Sequence, residues 1–138
     1  MPLDPELIAA YRKTDYVVFG EPGLVLRIGE ANPDLDELLA AEGATTAAFI
    51  TAANPHGAAG SAWENEIANA ALVKSQTEAG FACYQGEGRA VDGSWTEASV
   101  LVVGISREDA EIVGCAFAQN AIVFVTRGLA PELVVLED

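Results

Sequence analysis

The sequence predicts an α/β or α+β fold, with one domain over residues 1–138 in which a mixed β-sheet of about six to seven strands carries about four helices. Three observations carry this expectation. Apolar periodicity switches along the chain in the order helix, two strands, helix, strand, helix, two strands, helix, two strands. The helical stretches open on recognisable caps, at Asp4-Pro5, Asn32-Pro33, Ser61 and Ser106. The length of 138 residues and hydrophobic content of 51% suffice for one core, and no linker, repeat or low-complexity tract divides the chain.

The first helix is expected over residues 5–13, with Asp4 capping free amides and Leu7, Ile8 and Tyr11 on one face. Tyr16 to Phe19 and Leu24 to Ile28 then form a hairpin around the turn Gly20-Glu21-Pro22-Gly23. Alternation of Leu24, Leu26 and Ile28 with Val25 and Arg27 places this pair towards a sheet edge. A second helix spans residues 33–42, with Leu35, Leu38 and Leu39 inward and Gly43 as its stop. Its acidic residues Asp34, Asp36, Glu37 and Glu42 read as a solvated face that suits the helix dipole, not as metal ligands.

The chain is organised around residues 45–80. Thr45 to Thr51 is a strand, Asn54-Pro55-His56-Gly57 a polar turn, and a long helix follows from Ser61. Ser61 and Glu64 match the capping box, so Glu64 has a structural role. Ile67, Ala68, Ala71 and Leu72 supply the expected inward stripe, with Asn65 and Asn69 on a neighbouring polar strip and Asn65 facing water. Phe81 to Tyr84 reads as a strand that breaks at Gln85 to Gly93. The glycines there have neither phosphate-loop spacing nor a following helix, which excludes a nucleotide loop. Trp95 to Ile105 is the longest strand, with Trp95, Glu97, Ser99, Leu101 and Val103 on one face. The last helix starts at Ser106, turns Ile112, Val113, Ala116 and Phe117 inward, and ends at Gln119-Asn120, where Asn120 suits a left-handed cap. Gln119 falls between a helix and a core strand, where an amide must have its hydrogen bonds met. Strands Ala121 to Thr126 and Leu133 to Leu136 close the chain.

Charge and composition exclude several function classes. With 7 basic and 21 acidic side chains the net charge is −14, which repels phosphate backbones and anionic lipid, so nucleic acid and membrane are not expected partners. No apolar run approaches the roughly 20 residues of a membrane helix, and the start MPLDPELIAAYRK has no secretory pattern, which points to the cytoplasm. Cys83 and Cys115 lack metal or redox spacing and are expected as reduced core thiols.

A set of short motifs, Thr51-Ala52-Ala53-Asn54-Pro55, Glu64-Asn65, Gly93-x-Trp95-x-Glu97-x-Ser99 and Phe117 to Val123, resembles a small bacterial family catalogued as a domain of unknown function, number 3293. The resemblance covers residues 10–130 or so, with Ala118 where the family pattern has glycine and Ala53 where it has an aromatic residue. It implies positions and no reaction.

One histidine and no nucleophile elbow exclude a serine triad, and one histidine with two dispersed cysteines excludes a zinc site; no metal or other cofactor is expected. The remaining polar set is Asn54, His56, Asn65, Trp95, Glu97, Ser99, Gln119 and Asn120. Such groups suit holding a polar small molecule or peptide. A second expectation is a hydrolase or transferase with Glu97 or His56 as general base and Asn54 and Gln119 stabilising charge. A third is an interaction module whose acidic surface meets a partner. The first two require that Asn54, Glu97 and Gln119 meet, which antiparallel pairing of the strands at 45–51 and 95–105 would achieve.

Overall fold

Each of the four expected caps starts a helix. The computed structural model describes residues 4–20, 23–54 and 60–136. Helix α1, Pro5–Lys13, begins where the Asp4 carboxylate accepts the Glu6 N–H, and α2, Pro33–Ala41, where Asn32 accepts the N–H of Leu35. Helix α3, Ala62–Glu78, opens on a complete capping box: the Glu64 N–H donates to the Ser61 hydroxyl and the Ser61 N–H to the Glu64 carboxylate. These backbone and hydroxyl hydrogen bonds hold the Glu64 carboxyl below the usual range. Helix α4, Arg107–Ala116, starts at Ser106, whose hydroxyl accepts the Asp109 N–H.

The strands are β1 (Asp15–Val18), β2 (Leu24–Leu26), β3 (Thr46–Thr51), β4 (Ala82–Arg89), β5 (Thr96–Val103), β6 (Ala121–Thr126) and β7 (Glu132–Val135). They form one sheet in the order β2-β1-β4-β5-β3-β6-β7, and every neighbouring pair is antiparallel. The class and strand number are as expected, but the pairing is antiparallel throughout and not mixed. The physical reason lies in the connections. Strand β5 inserts between β3 and β4, and β3 between β5 and β6, so each helical crossover joins two strands that run the same way without touching. Residues 46–126 thus form a β-α-β-β-α-β unit of two split β-α-β motifs. The hairpin β1-β2 extends one edge, as its alternation predicts, and β7 extends the other. The hairpin residues Glu21 and Pro22 lie outside the described residues, as does the segment 55–59 with His56.

Both faces of the central strands are buried. Ala47, Phe49, Leu101, Val103, Val123 and Val125 pack with Tyr16, Val18, Leu26 and the α2 residues Leu35 and Leu39. On the other face Ala48, Ile50, Val100, Val102, Ile122 and Phe124 pack under Leu72 of α3 and Ala110 of α4. An antiparallel sheet covered on both faces therefore produces the continuous apolar runs more usual in parallel sheets.

Four expectations about the elements are corrected. Strand β4 does not break after Tyr84 but continues through Gly86 and Gly88 to Arg89. At Gly86 a Cβ would run into the carbonyl oxygen of Val17 on β1, so the glycine permits a close strand approach instead of ending the strand. Ile67 and Ile112, expected inward, are 52% and 60% exposed. Helix α3 instead turns Asn69, Leu72 and Gln76 inward, and α4 turns Ala110 and Gly114. A Cβ on Gly114 would lie 2.8 Å from Cγ2 of Ile122, so α4 rests on the sheet through its smallest residues and its larger ones stay at the flanks. Cys115 consequently points outward and is exposed, while Cys83 is half-buried; both are free thiols. Finally, the left-handed cap of α4 is Ala118, with φ 57°, not Asn120. The N–H of Gln119 reaches Gly114 O and that of Ala118 reaches Cys115 O, both at 3.0 Å, the double bond of a Schellman motif.

Candidate functional site

Strand β3 pairs with β5 in the register Thr51↔Ser99, so the end of one lies beside the start of the other. Asn54, three residues past Thr51, therefore meets Glu97, two before Ser99, and the Asn54 Nδ2 donates to Glu97 Oε2 at 2.6 Å. The predicted convergence is real. Asn54 also accepts from the Gly60 N–H at 3.0 Å and from Asn65 Nδ2 at 2.9 Å through the same Oδ1, while its own N–H donates to Asn65 Oδ1 at 2.9 Å. The two backbone N–H groups can only donate, which orients both amides and leaves Asn54 Nδ2 facing the carboxylate. Asn65 is thus not turned to water: it braces Asn54 from α3.

Behind this pair lies a cavity of about 220 Å³ on the sheet face that α1 covers. That is far more than the roughly 10–15 Å³ one water needs. Asn54, Trp95, Glu97, Ser99 and Gln119 all line it, together with Leu7, Ala10 and Tyr11 of α1, and Tyr16, Phe49, Thr51, Gly88, Ala121, Ile122, Val123 and Leu133. Five of the eight sequence-predicted site residues therefore meet at one cavity. Asn65 supports it from behind. Asn120 supports it from the side, its Nδ2 donating to the Tyr11 hydroxyl at 3.4 Å. His56 lies outside the described residues.

The polar lining is already partly bonded within the protein. Gln119 is buried, as predicted, and donates both Nε2 hydrogens, to the carbonyls of Ala53 and Phe117, each at 3.1 Å. An oxyanion role for Gln119 is therefore corrected, because no N–H of its amide remains free. Ser99 donates to the Glu97 carbonyl and Thr51 to that of Ala98. Burial raises the Glu97 carboxyl above its usual range, and the Asn54 hydrogen bond pulls it part of the way back. Burial also raises the Tyr11 hydroxyl, opposed by Asn120 and assisted by the Glu97 charge. Tyr16 is raised further by burial and donates to the Tyr11 carbonyl at 2.6 Å. Among the described residues, no three His, Cys, Asp or Glu side chains are grouped to hold a metal ion, and no helix is long and apolar enough to cross a membrane.

Sequence reasoning missed Tyr11, Tyr16, Thr51 and Gly88. Tyr11 and Tyr16 were legible only as apolar positions, though a tyrosine facing a core must find a partner for its hydroxyl, which is a usable signal. Gly88 carried a different one: a glycine inside a strand leaves space, and here a Cβ would meet Trp95 Cζ3 at 3.6 Å and the methyl of Thr14 at 3.7 Å. Tyr16 in turn packs edge-on against Phe49, with centroids 5.5 Å apart, to form the apolar floor.

No curated protein and no solved structure matches the chain. A family described as a protein of unknown function, DUF3293, matches residues 50–122, which hold all eight predicted site residues and leave out α1 and the hairpin β1-β2. That is more than half of the chain, and the chain belongs to this family.

Proposed function

We propose that the protein binds a polar small molecule in the cavity beneath α1, with Glu97 as the anchoring group and Asn54, Gln119 and Trp95 shaping the site. The observation that carries this reading is the convergence of Asn54, Glu97 and Gln119, from three separate segments, on one cavity of about 220 Å³. A space of that size favours a compact molecule over a peptide, whose successive residues would need a longer groove. The hydrolase or transferase reading retains one support. A partly desolvated carboxyl with one oxygen held by Asn54 suits a general base. The reading of the site as a set of purely structural polar locks is supported by the Asn54–Asn65 pair but leaves the cavity without a purpose. Two free cysteines suit the cytoplasm, a reducing compartment.

The test is a thermal-shift screen of small metabolites against the native protein and a Gly88→Val variant. Valine suits a strand, and its added methyl groups grow from a position where a Cβ has ordinary contacts into the cavity. Compounds that bind there raise the melting temperature of the native protein and not of the variant. Compounds that stabilise both equally would place binding elsewhere and refute the reading.

A further inference from the structure

We propose that the ligand of this cavity is a small organic cation, a primary ammonium carried on a compact apolar or aromatic body. This deepens the proposed function and rests on it. Gln119, Ser99, Thr51 and Tyr16 have already donated their side-chain hydrogens within the protein, to carbonyls of Ala53 and Phe117, Glu97, Ala98 and Tyr11 respectively. What these four groups retain for a ligand is oxygen lone pairs. Glu97 uses Oε2 to accept from Asn54, and among the described residues no donor reaches its Oε1. The donors that remain are neutral: the Tyr11 hydroxyl, the second N–H of Asn54 and the Trp95 indole.

Charge decides the sign. Among the described residues that line the cavity, Glu97 is the one carboxylic acid, and none is Lys, Arg or His. None of the salt bridges among the described residues involves it. A carboxylate withdrawn from water with a neutral amide as its partner and no counter-charge is unfavourable, and a cation bound beside it offsets the penalty. The same wall carries the aromatic side chains Tyr11, Tyr16, Phe49 and Trp95. Aromatic faces attract ammonium ions and repel carboxylates. The whole protein adds to this selection, because a net charge of −14 concentrates cations near its surface. A primary ammonium also supplies three N–H donors, matching Glu97 Oε1 and the lone pairs of Gln119 and Ser99, which a quaternary ammonium would leave unmet.

Three isosteric probes separate the possibilities: phenethylammonium, the neutral 2-phenylethanol and the anionic phenylacetate. Each is titrated into the native protein, Glu97→Gln and Gly88→Val, with the Trp95 indole N–H resonance, assigned by Trp95→Phe, as the readout. The expected result is phenethylammonium binding at least about tenfold tighter than the alcohol, no binding of the acid, and loss of that preference in Glu97→Gln. Glu97→Gln removes one charge from many, so non-specific attraction of amines would persist in it and is thereby distinguished. The native ratio of ammonium to alcohol needs no variant and stands even if Glu97→Gln does not fold. If the alcohol or the acid binds as well as the ammonium and Gly88→Val abolishes both, the cation assignment is wrong and the cavity reading survives. If no probe moves the Trp95 resonance at about 10 mM, a concentration that reveals even weak ligands, both fall.

Discussion

Replacing Asn54 with alanine tests the junction on which the site depends. The side chain carries three hydrogen bonds: to Glu97, from the Gly60 N–H and from Asn65. At about 0.5–1.5 kcal/mol net for each, their loss removes roughly 1.5–4.5 kcal/mol. Asn54 also sits at φ 48°, where asparagine is tolerated and alanine strained, which adds about 1 kcal/mol. Asn54→Ala should therefore lower stability by roughly 2.5–5.5 kcal/mol, a large part of the total for one domain. Asn54→Gly loses the same bonds without the strain and should be less destabilised, by about 1 kcal/mol. Urea unfolding at equal denaturant slopes measures both. The hydrogen bond from Asn54 lowers the Glu97 carboxyl, so in Asn54→Gly that carboxyl should titrate at a higher pH, visible by carboxyl carbon NMR. If Asn54→Ala unfolded at nearly the native urea concentration, or if Glu97 titrated unchanged in the glycine variant, the three-way junction would not exist as described.

Three further outcomes follow from the same geometry. Burial leaves folded Glu97 binding its proton more tightly than unfolded Glu97, so its contribution is most favourable in acid. It is lost as the pH rises from the ordinary value near 4.5 through the raised folded value. The stability of the native protein relative to Glu97→Gln should fall over that window and then level off, and an opposite slope in paired melting curves would contradict the burial of the carboxyl. Ala118→Gly should stabilise the protein by about 0.5–1 kcal/mol, because relief of the left-handed alanine outweighs the added freedom of the unfolded chain. A lower melting temperature for that variant would mean the α4 cap is not formed. Iodoacetamide should alkylate exposed Cys115 well before Cys83, whose thiol is half-buried and raised by burial, and equal rates by intact mass would overturn that ordering.

The helices were legible because their starts are chemical: an oxygen-bearing side chain accepting an amide, at Asp4, Asn32, Ser61 and Ser106, is a local event. The strand face carrying Trp95, Glu97 and Ser99 was legible because alternation is fixed by the pleat. What could not be read locally was anything set by a partner at long range. Gly86 looks like a break until the backbone of β1 is seen against it, and Ile67 looks like core until Asn69 and Gln76 are found to occupy the inward side. Asn65 looks solvated until Asn54, eleven residues away, is seen to need it. The interleaving of strands and helices looked like a mixed sheet because element order along the chain does not reveal which strand inserts between the two that a helix joins.

The position of the site follows from the antiparallel pairing of β3 and β5. Parallel pairing would have set Asn54 and Glu97 apart by the length of a strand, roughly 20 Å at 3.3 Å per residue. In the observed register they touch, and the Asn54 N–H also reaches Asn65 of α3. Among the described residues only Asn54 and Ala118 are non-glycine residues at positive φ. Both belong to the same end of the sheet. Asn54 lines the cavity, and Ala118 delivers Gln119 to it. Strained backbone persists where the surrounding structure holds it, and such places concentrate at functional sites. Here the strain, the half-buried carboxyl and the cavity coincide, three departures from the most stable local choice at one location. A sheet built for stability alone would place glycine at 118 and an apolar residue at 97. The carboxyl at position 97, held beside the cavity by Asn54, is the feature that supports the proposal of a binding site at this end of the sheet.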